Sequence, residues 1–299
     1  MAIYEGQFVN AAGRVYHVDK DKGSASGTGL SYATAMNEIG LASTAANTWR
    51  ALQDNIYLRP TILVYGCSQA YASIAADLTN VDIIGIGANV MGNGGTGTAT
   101  GIPTIGDNSA TCAADGYAGS LRSVTLQNLQ FVSDGAYWPG DFYKIFRSSI
   151  INCAFYSGPN GSAGNFRTTN ACGGNLIKGC HMVTDNPNVP FGMHISGGLQ
   201  WNNSRVEDCT ISGVTAAVYI AATTDDRGTV WTKNHIGEFT DHEPDLCALG
   251  VDDDGRGMAR WDGNWVSATD AFSSAAGTDR LVGNHVVNTS TGAMEASGS

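Results

Sequence analysis

The sequence predicts an all-β solenoid, a stack of short coils, and three observations support this fold class. A six-residue pattern, apolar at its first and sixth positions, recurs seven times in the second half of the chain, starting at residues 126, 150, 177, 206, 231, 261 and 281. Its fourth position holds cysteine three times in succession and then asparagine three times. Glycine accounts for 39 of 299 residues and charged residues for 14%, against roughly 7% and 25% in ordinary domains. Repeats of variable length around a fixed template are typical of solenoids, which place insertions in outer loops.

The fourth position of the pattern predicts two columns of stacked side chains. Equivalent residues of successive coils lie roughly 4.8 Å apart, the spacing of hydrogen-bonded strands. Stacked asparagines can bond from rung to rung, and stacked thiols can fill a dry interior. A zinc site would need closer grouping such as CxxC, which none of the seven cysteines forms. We therefore expect no metal there and interpret three cysteines as core thiols: Cys153, Cys180 and Cys209.

Four segments follow from the patterning along the chain. The sequence predicts an N-terminal arm over residues 1–14, a first strand and capping helix over 15–60, the solenoid over 61–287 and a polar tail over 288–299. The first strand is Val15 to Val18, and apolar residues at helical spacing after Ser31, a candidate N-cap, predict a helix that reaches Leu52. A helix at this place would cover the exposed end of the solenoid.

Two strands and a long loop are predicted between the helix and the repeats. Residues 61–65 (TILVY) and 81–86 (VDIIGI) have the composition of the first two coils. The Gly/Thr/Ala-rich stretch from Gly87 to Gly119 predicts a lateral loop with little regular structure.

The opening of the chain carries a family resemblance. VYHVDKDKGSASGTGLSYATAMNEI, followed by TILVYG and NVDIIGIG, resembles the N-terminal portion of right-handed parallel β-helix proteins of the pectin-lyase-like superfamily. The resemblance implies a right-handed single-stranded parallel β-helix with an N-terminal capping helix. It does not select a function, because this fold serves polysaccharide lyases, glycosidases, phage tailspikes and non-enzymatic virion proteins alike.

Charge and hydropathy argue against two classes of partner. The net charge is −11, and only 16 lysines and arginines are scattered along the chain, whereas nucleic-acid binding needs clustered cations. No run of 18 uncharged apolar residues occurs, and the N-terminus has no basic segment leading an apolar one. We expect neither a nucleic acid nor a membrane as partner, and no secretion signal.

Two acidic segments, TTDDRGTVW and VDDDGRGMARW, hold the candidate catalytic residues Asp225, Asp226, Asp253 and Asp254. Because both precede the first position of a repeat, we expect them to be neighbours on one lateral face. Such carboxylates could form a glycosidase pair or a hard-cation site. The favoured interpretation is that they are loop carboxylates paired with Arg227 and Arg256. No calcium-loop pattern is present, so we expect no metal and no cofactor.

Two further groups of residues were candidates for function. The segment from Thr240 to Asp245 offers an acid, a base and the imidazole of His242, and loop polarity is the favoured explanation for it. Aromatic rings could stack on sugars or pack protomers together, and packing is favoured. The aromatic candidates are Tyr137, Trp138, Phe142, Tyr143 and Trp201.

The sequence favours a structural role over catalysis. It predicts a bacteriophage virion protein displayed on the particle surface, as a capsid decoration or spike, that assembles as a homotrimer with other virion proteins of the capsid or tail. Binding of host cell-surface polysaccharide is part of this prediction. The alternative is a tailspike-type depolymerase, a glycoside hydrolase or lyase acting on that polysaccharide.

Overall fold

A computed structural model describes residues 3–4, 7–8, 13–53, 58–88, 101–107, 109, 111–183, 186–196, 200–222, 224–237, 247–255, 259–274, 279–289 and 293–296. Three long sheets account for most of these residues, and every pairing along them is parallel except the last one of the second sheet. The short strands Ile3–Tyr4 and Gln7–Phe8 form a separate antiparallel pair. The expected parallel β-helix is therefore confirmed.

Each coil contributes strands to the three sheets in turn. Sheet 1 contains Val15–Val18, Thr61–Tyr65, Asp82–Ile86, Thr125–Gln127, Ser149–Ile151, Leu176–Lys178, Arg205–Glu207, Val230–Thr232, Arg260–Asp262 and Arg280–Val282. Sheet 2 contains Thr104–Gly106, Gln130–Ser133, Ala154–Ser157, His181–Met182, Thr210–Ile211, His235–Gly237, Trp265–Ala268, His285–Asn288 and Ala293–Ala296. Sheet 3 contains Ile74–Ala75, Leu78–Thr79, Tyr117–Arg122, Gly140–Phe146, Phe166–Thr168, Cys172–Gly173, Phe191–Ile195, Trp201–Asn202, Ala216–Ile220, Leu249–Asp253 and Asp270–Ser274.

The six-residue pattern is the bend from sheet 1 into sheet 2. Its first position points into the core from sheet 1, where Ile150, Ile177 and Val206 are in register and fully buried. Its sixth position does the same from sheet 2, where Phe131 and Phe155 stack with their rings 5.1 Å apart. One pattern thus supplies two walls of the interior, which explains why both positions must be apolar.

Single residues in the left-handed conformation form two corners in the coils whose corner residues are described. The first corner, from sheet 3 to sheet 1, uses Asn80, Ser123, Arg147, Gly174, Asn203 and Gly228, with φ between 46° and 72°. The second corner, from sheet 1 to sheet 2, uses the third position of the pattern, with φ between 49° and 62°: Asn128, Asn152, Gly179, Asp208, Lys233, Gly263 and Gly283. Glycine and asparagine dominate because they tolerate this conformation best.

The second corner carries the predicted stack, which is confirmed. Asn234 donates from its side-chain amide to Asn264 Oδ1 at 3.0 Å, and Asn264 donates to Asn284 Oδ1 at 2.9 Å. Each of these amides also donates to a backbone carbonyl of the previous coil. We call the three residues the asparagine ladder. Below it, Cys153, Cys180 and Cys209 are buried free thiols, and the backbone N–H of Cys209 donates to Asn234 Oδ1.

The N-terminal end of the stack is covered as expected, although the predicted helix is divided. Ser31 caps a 3-10 turn, Tyr32–Thr34, and the α-helix Ile39–Ala51 begins after Glu38. The helix buries Ile39, Ala42, Ser43 and Ala46. Among these, Ile39, Ala42 and Ala46 belong to the same core as Tyr16 and Val18 of the first strand.

Two boundaries differ from the sequence-based expectation. The stretch from Gly87 to Gly119 contains the strand Thr104–Gly106 and the first residues of Tyr117–Arg122, because Ile105 and Tyr117 supply fully buried core side chains; residues 89–100 lie outside the described residues. The polar tail contains Ala293–Ala296, which pairs antiparallel with His285–Asn288. Most of the predicted arm lies outside the described residues.

Candidate functional site

The first corner carries a second ladder, built from mixed polar residues. They occupy the position two residues before four of the seven six-residue patterns, and each accepts from a backbone N–H of the previous coil. Val124 N donates to Ser148 Oγ, Ser148 N to Asn175 Oδ1, Asn175 N to Ser204 Oγ, and Ala259 N to Asp279 Oδ1, at 3.2 to 3.4 Å. We call these four acceptors the mixed ladder. Its last member is Asp279, which directly precedes the strand Arg280–Val282.

Asp253 lies inside the β-helix because of the register of sheet 3. Ile195, Ile220 and Asp253 are successive partners in that sheet. Since facing residues of adjacent rungs point to the same side, Asp253 points into the interior beside two isoleucines. Its exposed fraction is 1%, and that of Asp226 is 0%.

Three carboxylates converge at the first corner, one from each of three consecutive coils. Asp226 precedes the strand Val230–Thr232, Asp253 ends the strand Leu249–Asp253, and Asp279 precedes Arg280–Val282. One carboxylate oxygen from each lies within 4.8 Å of the other two. We call these three residues the carboxylate cluster. Carboxylates packed so closely repel one another unless a proton or a cation lies between them.

The hydrogen bonds of the carboxylate cluster leave several oxygens unmatched. Asp253 Oδ1 accepts from Gly255 N at 2.9 Å, and Asp279 Oδ1 accepts from Ala259 N. Among the described residues, no donor reaches either oxygen of Asp226 or Oδ2 of Asp253. Burial is the main cause that raises the pKa of Asp226, followed by the charge of Asp279. Burial also comes first in raising the pKa of Asp253, and the neighbouring charges of Asp279 and Asp226 raise it further.

The four predicted catalytic carboxylates therefore do not share one lateral face, which corrects that expectation: Asp226 and Asp253 lie in the interior, and Asp225, itself only 7% exposed, lies beneath an exposed arginine. Asp226 and Asp253 are enclosed, so no sugar ring can enter between them. Asp225 forms the expected pair with Arg227, whose Nε and Nη2 donate to it at 2.8 and 2.6 Å. Asp254 is half-buried near Tyr219, whose pKa its charge helps to raise. Arg256 and the segment 240–245 lie outside the described residues.

The predicted aromatic residues are divided as well. Phe142 and Trp201 are fully buried core residues, because their register places them inward opposite the core of neighbouring coils, and Trp138 is 6% exposed. Tyr137 and Tyr143 are exposed. Tyr143 lies at a groove of about 320 Å³ in which Asp77, Arg122 and Lys144 are the charged lining residues.

An outward-facing row on sheet 3 brings together residues that the sequence pattern did not single out. Asp141, Arg167, His194, Tyr219 and Asp252 are successive partners in the sheet, and we call them the outer row. Their spacing of 26, 27, 25 and 33 residues follows the coil repeat. That spacing was the signal that could have identified them.

The outer row combines charge with aromatic rings. Arg167 donates to both oxygens of Asp141 and lies 4.9 Å from the centre of the Trp138 ring. The His194 ring lies 4.9 Å from that of Tyr219 and 4.7 Å from that of Phe191. Burial, and then the charge of Arg167, lowers the pKa of His194 to about 4. The imidazole is therefore neutral near pH 7 and able to accept a proton.

No protein-family model matches the chain, and no curated protein matches it. Among solved structures, the crystal structure of Escherichia coli YbhC is similar to it, with 12% sequence identity over 95% of this chain and 87% of that chain and a TM-score of 0.46. No helix in the described residues has the length and apolar character needed to cross a membrane. The fold follows from the three sheets themselves: the chain is a parallel β-helix.

Proposed function

We propose that the chain is a structural protein of a bacteriophage particle, displayed on the particle surface as a capsid decoration or spike. The observation that carries this proposal is the enclosure of Asp226 and Asp253, two of the carboxylates that the sequence offered for glycan cleavage, whose oxygens lie within 4.8 Å of each other. A hydrolase needs its acid and base at a surface that sugar can reach. A cluster in the interior contributes to the structure of the β-helix instead.

Exposed apolar side chains support assembly into a homotrimer and attachment to other virion proteins. Trp265 on sheet 2 is 42% exposed, and Leu52 at the end of the capping helix is 77% exposed. Large apolar groups left in water favour contact with another chain. In this proposal the capped end faces the particle and the lateral faces pack three chains together.

Labelling of intact particles tests the display on a phage surface. Gold-conjugated antibodies raised against the purified chain should decorate purified particles under the electron microscope. Labelling of disrupted particles alone would place the protein inside, and absence of the chain from both preparations would overturn the proposal.

Light scattering tests the trimer separately. The proposal predicts a mass of three times 31.1 kDa at micromolar concentration. Trp265→Ser should shift the population towards the monomer, because it removes an exposed ring, whereas Tyr137→Ser serves as an exposed aromatic control on another face. A monomeric parent chain would contradict the assembly.

Glycan binding belongs to the same proposal and is assigned to the groove at Tyr143. The ring offers a stacking face, and Lys144 lies over it with Nζ 5.1 Å from the ring centre. Such a ring beside polar groups is suited to a sugar. The parent chain and the Tyr137→Ala variant should bind to host polysaccharide immobilised on a surface. The Tyr143→Ala variant should not bind.

A second candidate function, polysaccharide lyase, is favoured by the outer row alone. A neutral His194 could take the proton next to a uronate carboxylate. The carbon–oxygen bond to the leaving sugar would then break, a carbon–carbon double bond would form, and Tyr219 would donate its proton to the leaving oxygen. Arg167 would balance the charge of the carboxylate.

Ultraviolet absorbance of the new double bond tests the lyase on host polysaccharide. If the parent chain forms it, and His194→Ala abolishes it while the exposed sheet 2 variant His235→Ala does not, the lyase replaces the structural proposal. No absorbance change with the parent chain would remove this candidate.

A further inference from the structure

A β-bulge in sheet 3 places two neighbouring side chains of one coil on its outer face. The strand Gly140–Phe146 shifts register against the preceding strand between Phe142 and Lys144, which leaves Tyr143 as an extra residue. Phe142 and Ile145 on either side are fully buried. Because side chains on a regular strand alternate between its two faces, the extra residue is what allows both Tyr143 and Lys144 to face outward. Bulges that redirect side chains in this way are common beside functional sites.

The bulge forms one end of the groove at Tyr143, and two cations line that groove. Arg122 belongs to the preceding coil and Lys144 to the bulge. No ion pair joins either of them to a carboxylate within the described part of the chain. Asp77 lies two coils before Tyr143, and its Oδ1 accepts from Ser120 N at 2.7 Å. The lining therefore carries two positive charges and one negative charge, in a chain whose net charge is −11.

We propose that this groove selects sugars that carry an anionic group, a carboxylate or a phosphate, through Arg122 and Lys144. The inference rests on the proposed function, because it names the class of glycan that the groove would bind. In this arrangement the ring of Tyr143 packs against the sugar ring, and the anionic group lies between the two cations. The carboxylate of Asp77, at the other end of the groove, accepts from a sugar hydroxyl.

The chemistry of the two cations favours an anionic group over a neutral sugar. The guanidinium of Arg122 offers a planar fork of N–H donors, and the ammonium of Lys144 is a compact charge with three donors. Hydrogen bonds from such groups to a carboxylate or a phosphate are shorter and stronger than those to a hydroxyl. A groove walled by protein also focuses the field of its charges more than a flat surface does. An anionic substituent therefore gains more from this lining than a hydroxyl at the same carbon.

Two other roles for Arg122 and Lys144 compete with this proposal. Cations at a protein surface are often solvated by water alone. In the proposed trimer, a carboxylate from another copy is the second competitor, because opposite charges meet where chains pack together. The experiment separates both from recognition of an anionic sugar.

Titration of the full chain with glucose, glucuronate and glucose 6-phosphate, followed by ligand-observed NMR, tests the selectivity with sugars that differ only at carbon 6. The parent chain should bind at least one of the two anionic sugars at least about tenfold more tightly than glucose. Arg122→Gln and Lys144→Gln should each remove most of that preference and leave the affinity for glucose unchanged. Tyr143→Ala should weaken the binding of all three sugars. Arg147→Gln is the matched control, since this exposed arginine follows the same strand and does not line the groove.

Comparison of glucuronate with glucose 6-phosphate identifies which anionic group the groove prefers. Equal affinity of the parent chain for all three sugars would overturn the selectivity and leave glycan binding at Tyr143 intact. Binding of host polysaccharide without binding of either anionic sugar would have the same meaning. A preference that survives both Arg122→Gln and Lys144→Gln would also overturn the proposal. A lower assembly mass in these variants, with unchanged sugar affinities, would assign the cations to a contact between copies. Failure of the parent chain to bind the sugars and the host polysaccharide would overturn the glycan part of the proposed function as well.

Discussion

The two corners of the β-helix solve the same problem with different chemistry. At the second corner, each side-chain amide of the asparagine ladder has both a donor and an acceptor, so Asn264 accepts from one coil and donates to another. At the first corner, the last member of the mixed ladder, Asp279, belongs to a cluster of three carboxylates, which accept hydrogen bonds but cannot donate them when ionised. A column of amides satisfies its own hydrogen bonds, whereas a group of neighbouring carboxylates needs a proton or a cation between its members.

The comparison shows that burial alone does not decide whether a polar stack is stable. Asn264 and Asp226 are equally buried. Asn264 has partners on every side, while the oxygens of Asp226 meet no donor in the described residues. An unsatisfied polar group costs more than a satisfied one contributes, so exchanging the two chemistries should have effects of opposite sign.

The largest effect should come from moving a carboxylate into the asparagine ladder. Asn264→Asp removes two side-chain donor bonds, to Trp231 O and Asn284 Oδ1, and buries a charge. We expect the free energy of unfolding, measured in urea near pH 7, to fall by about 3 to 5 kcal/mol. The control Asp208→Asn, at an exposed corner residue with φ of 54°, should change it by about 0.5 kcal/mol or less.

The reverse exchange should stabilise the first corner. Asp226→Asn replaces one of three neighbouring carboxyl groups, two of them buried, with an amide of the same shape. The free energy of unfolding should rise by about 1 to 3 kcal/mol. A loss of stability, measured by urea unfolding, would mean that a residue outside the described part of the chain already neutralises this carboxylate.

A pH titration tests the outer row, in which His194 is the titrating group. Burial and Arg167 hold the pKa of His194 at about 4, below its ordinary value of about 6.5. The folded chain therefore binds fewer protons than the unfolded chain between these values, and stability is complete above about pH 6.5 and lost as the pH falls towards 4. Solvent screening reduces the effect to about 1 kcal/mol.

The difference between the parent chain and His194→Gln isolates this contribution. Urea unfolding at about pH 7 and about pH 5 should show the parent losing more stability than the variant. Equal losses would mean that the pKa of His194 is not lowered in the folded chain.

The smallest effect should come from Asp225, the carboxylate next to the cluster, which is 7% exposed but pairs with an exposed guanidinium. Asp225→Asn breaks a pair with Arg227, whose side chain is 65% exposed. We expect a loss of about 1 kcal/mol or less, measured by thermal unfolding. A loss as large as that of Asn264→Asp would show that Asp225 supports the interior.

The sequence was informative where one residue type repeats at one register. The alternation of apolar positions and the run from Asn234 to Asn284 predicted sheets 1 and 2 and the asparagine ladder, because identical rungs impose identical side chains. The strands of sheet 3 follow loops of unequal length, so their register is not visible in the sequence. The mixed ladder was missed because serine, asparagine and aspartate can all serve as its acceptor.

The candidate site was predicted only in part for the same reason. Adjacent aspartates look like a polar loop, yet Asp253 occupies the inward register of Ile220. Whether a residue on a strand faces the core depends on a shift of one position. Trp201 was assigned to the surface in error, since its partner Cys172 shows that this register faces inward.

The regular stacking of sheet 1 also sets a length. Its ten strands, at roughly 4.8 Å per step, span about 43 Å from the capped end to the last coil. Because each coil contacts mainly its neighbours, the insertion or removal of one whole coil would lengthen or shorten this rod by a single step and leave the other rungs in register. The number of coils therefore sets the length of the β-helix.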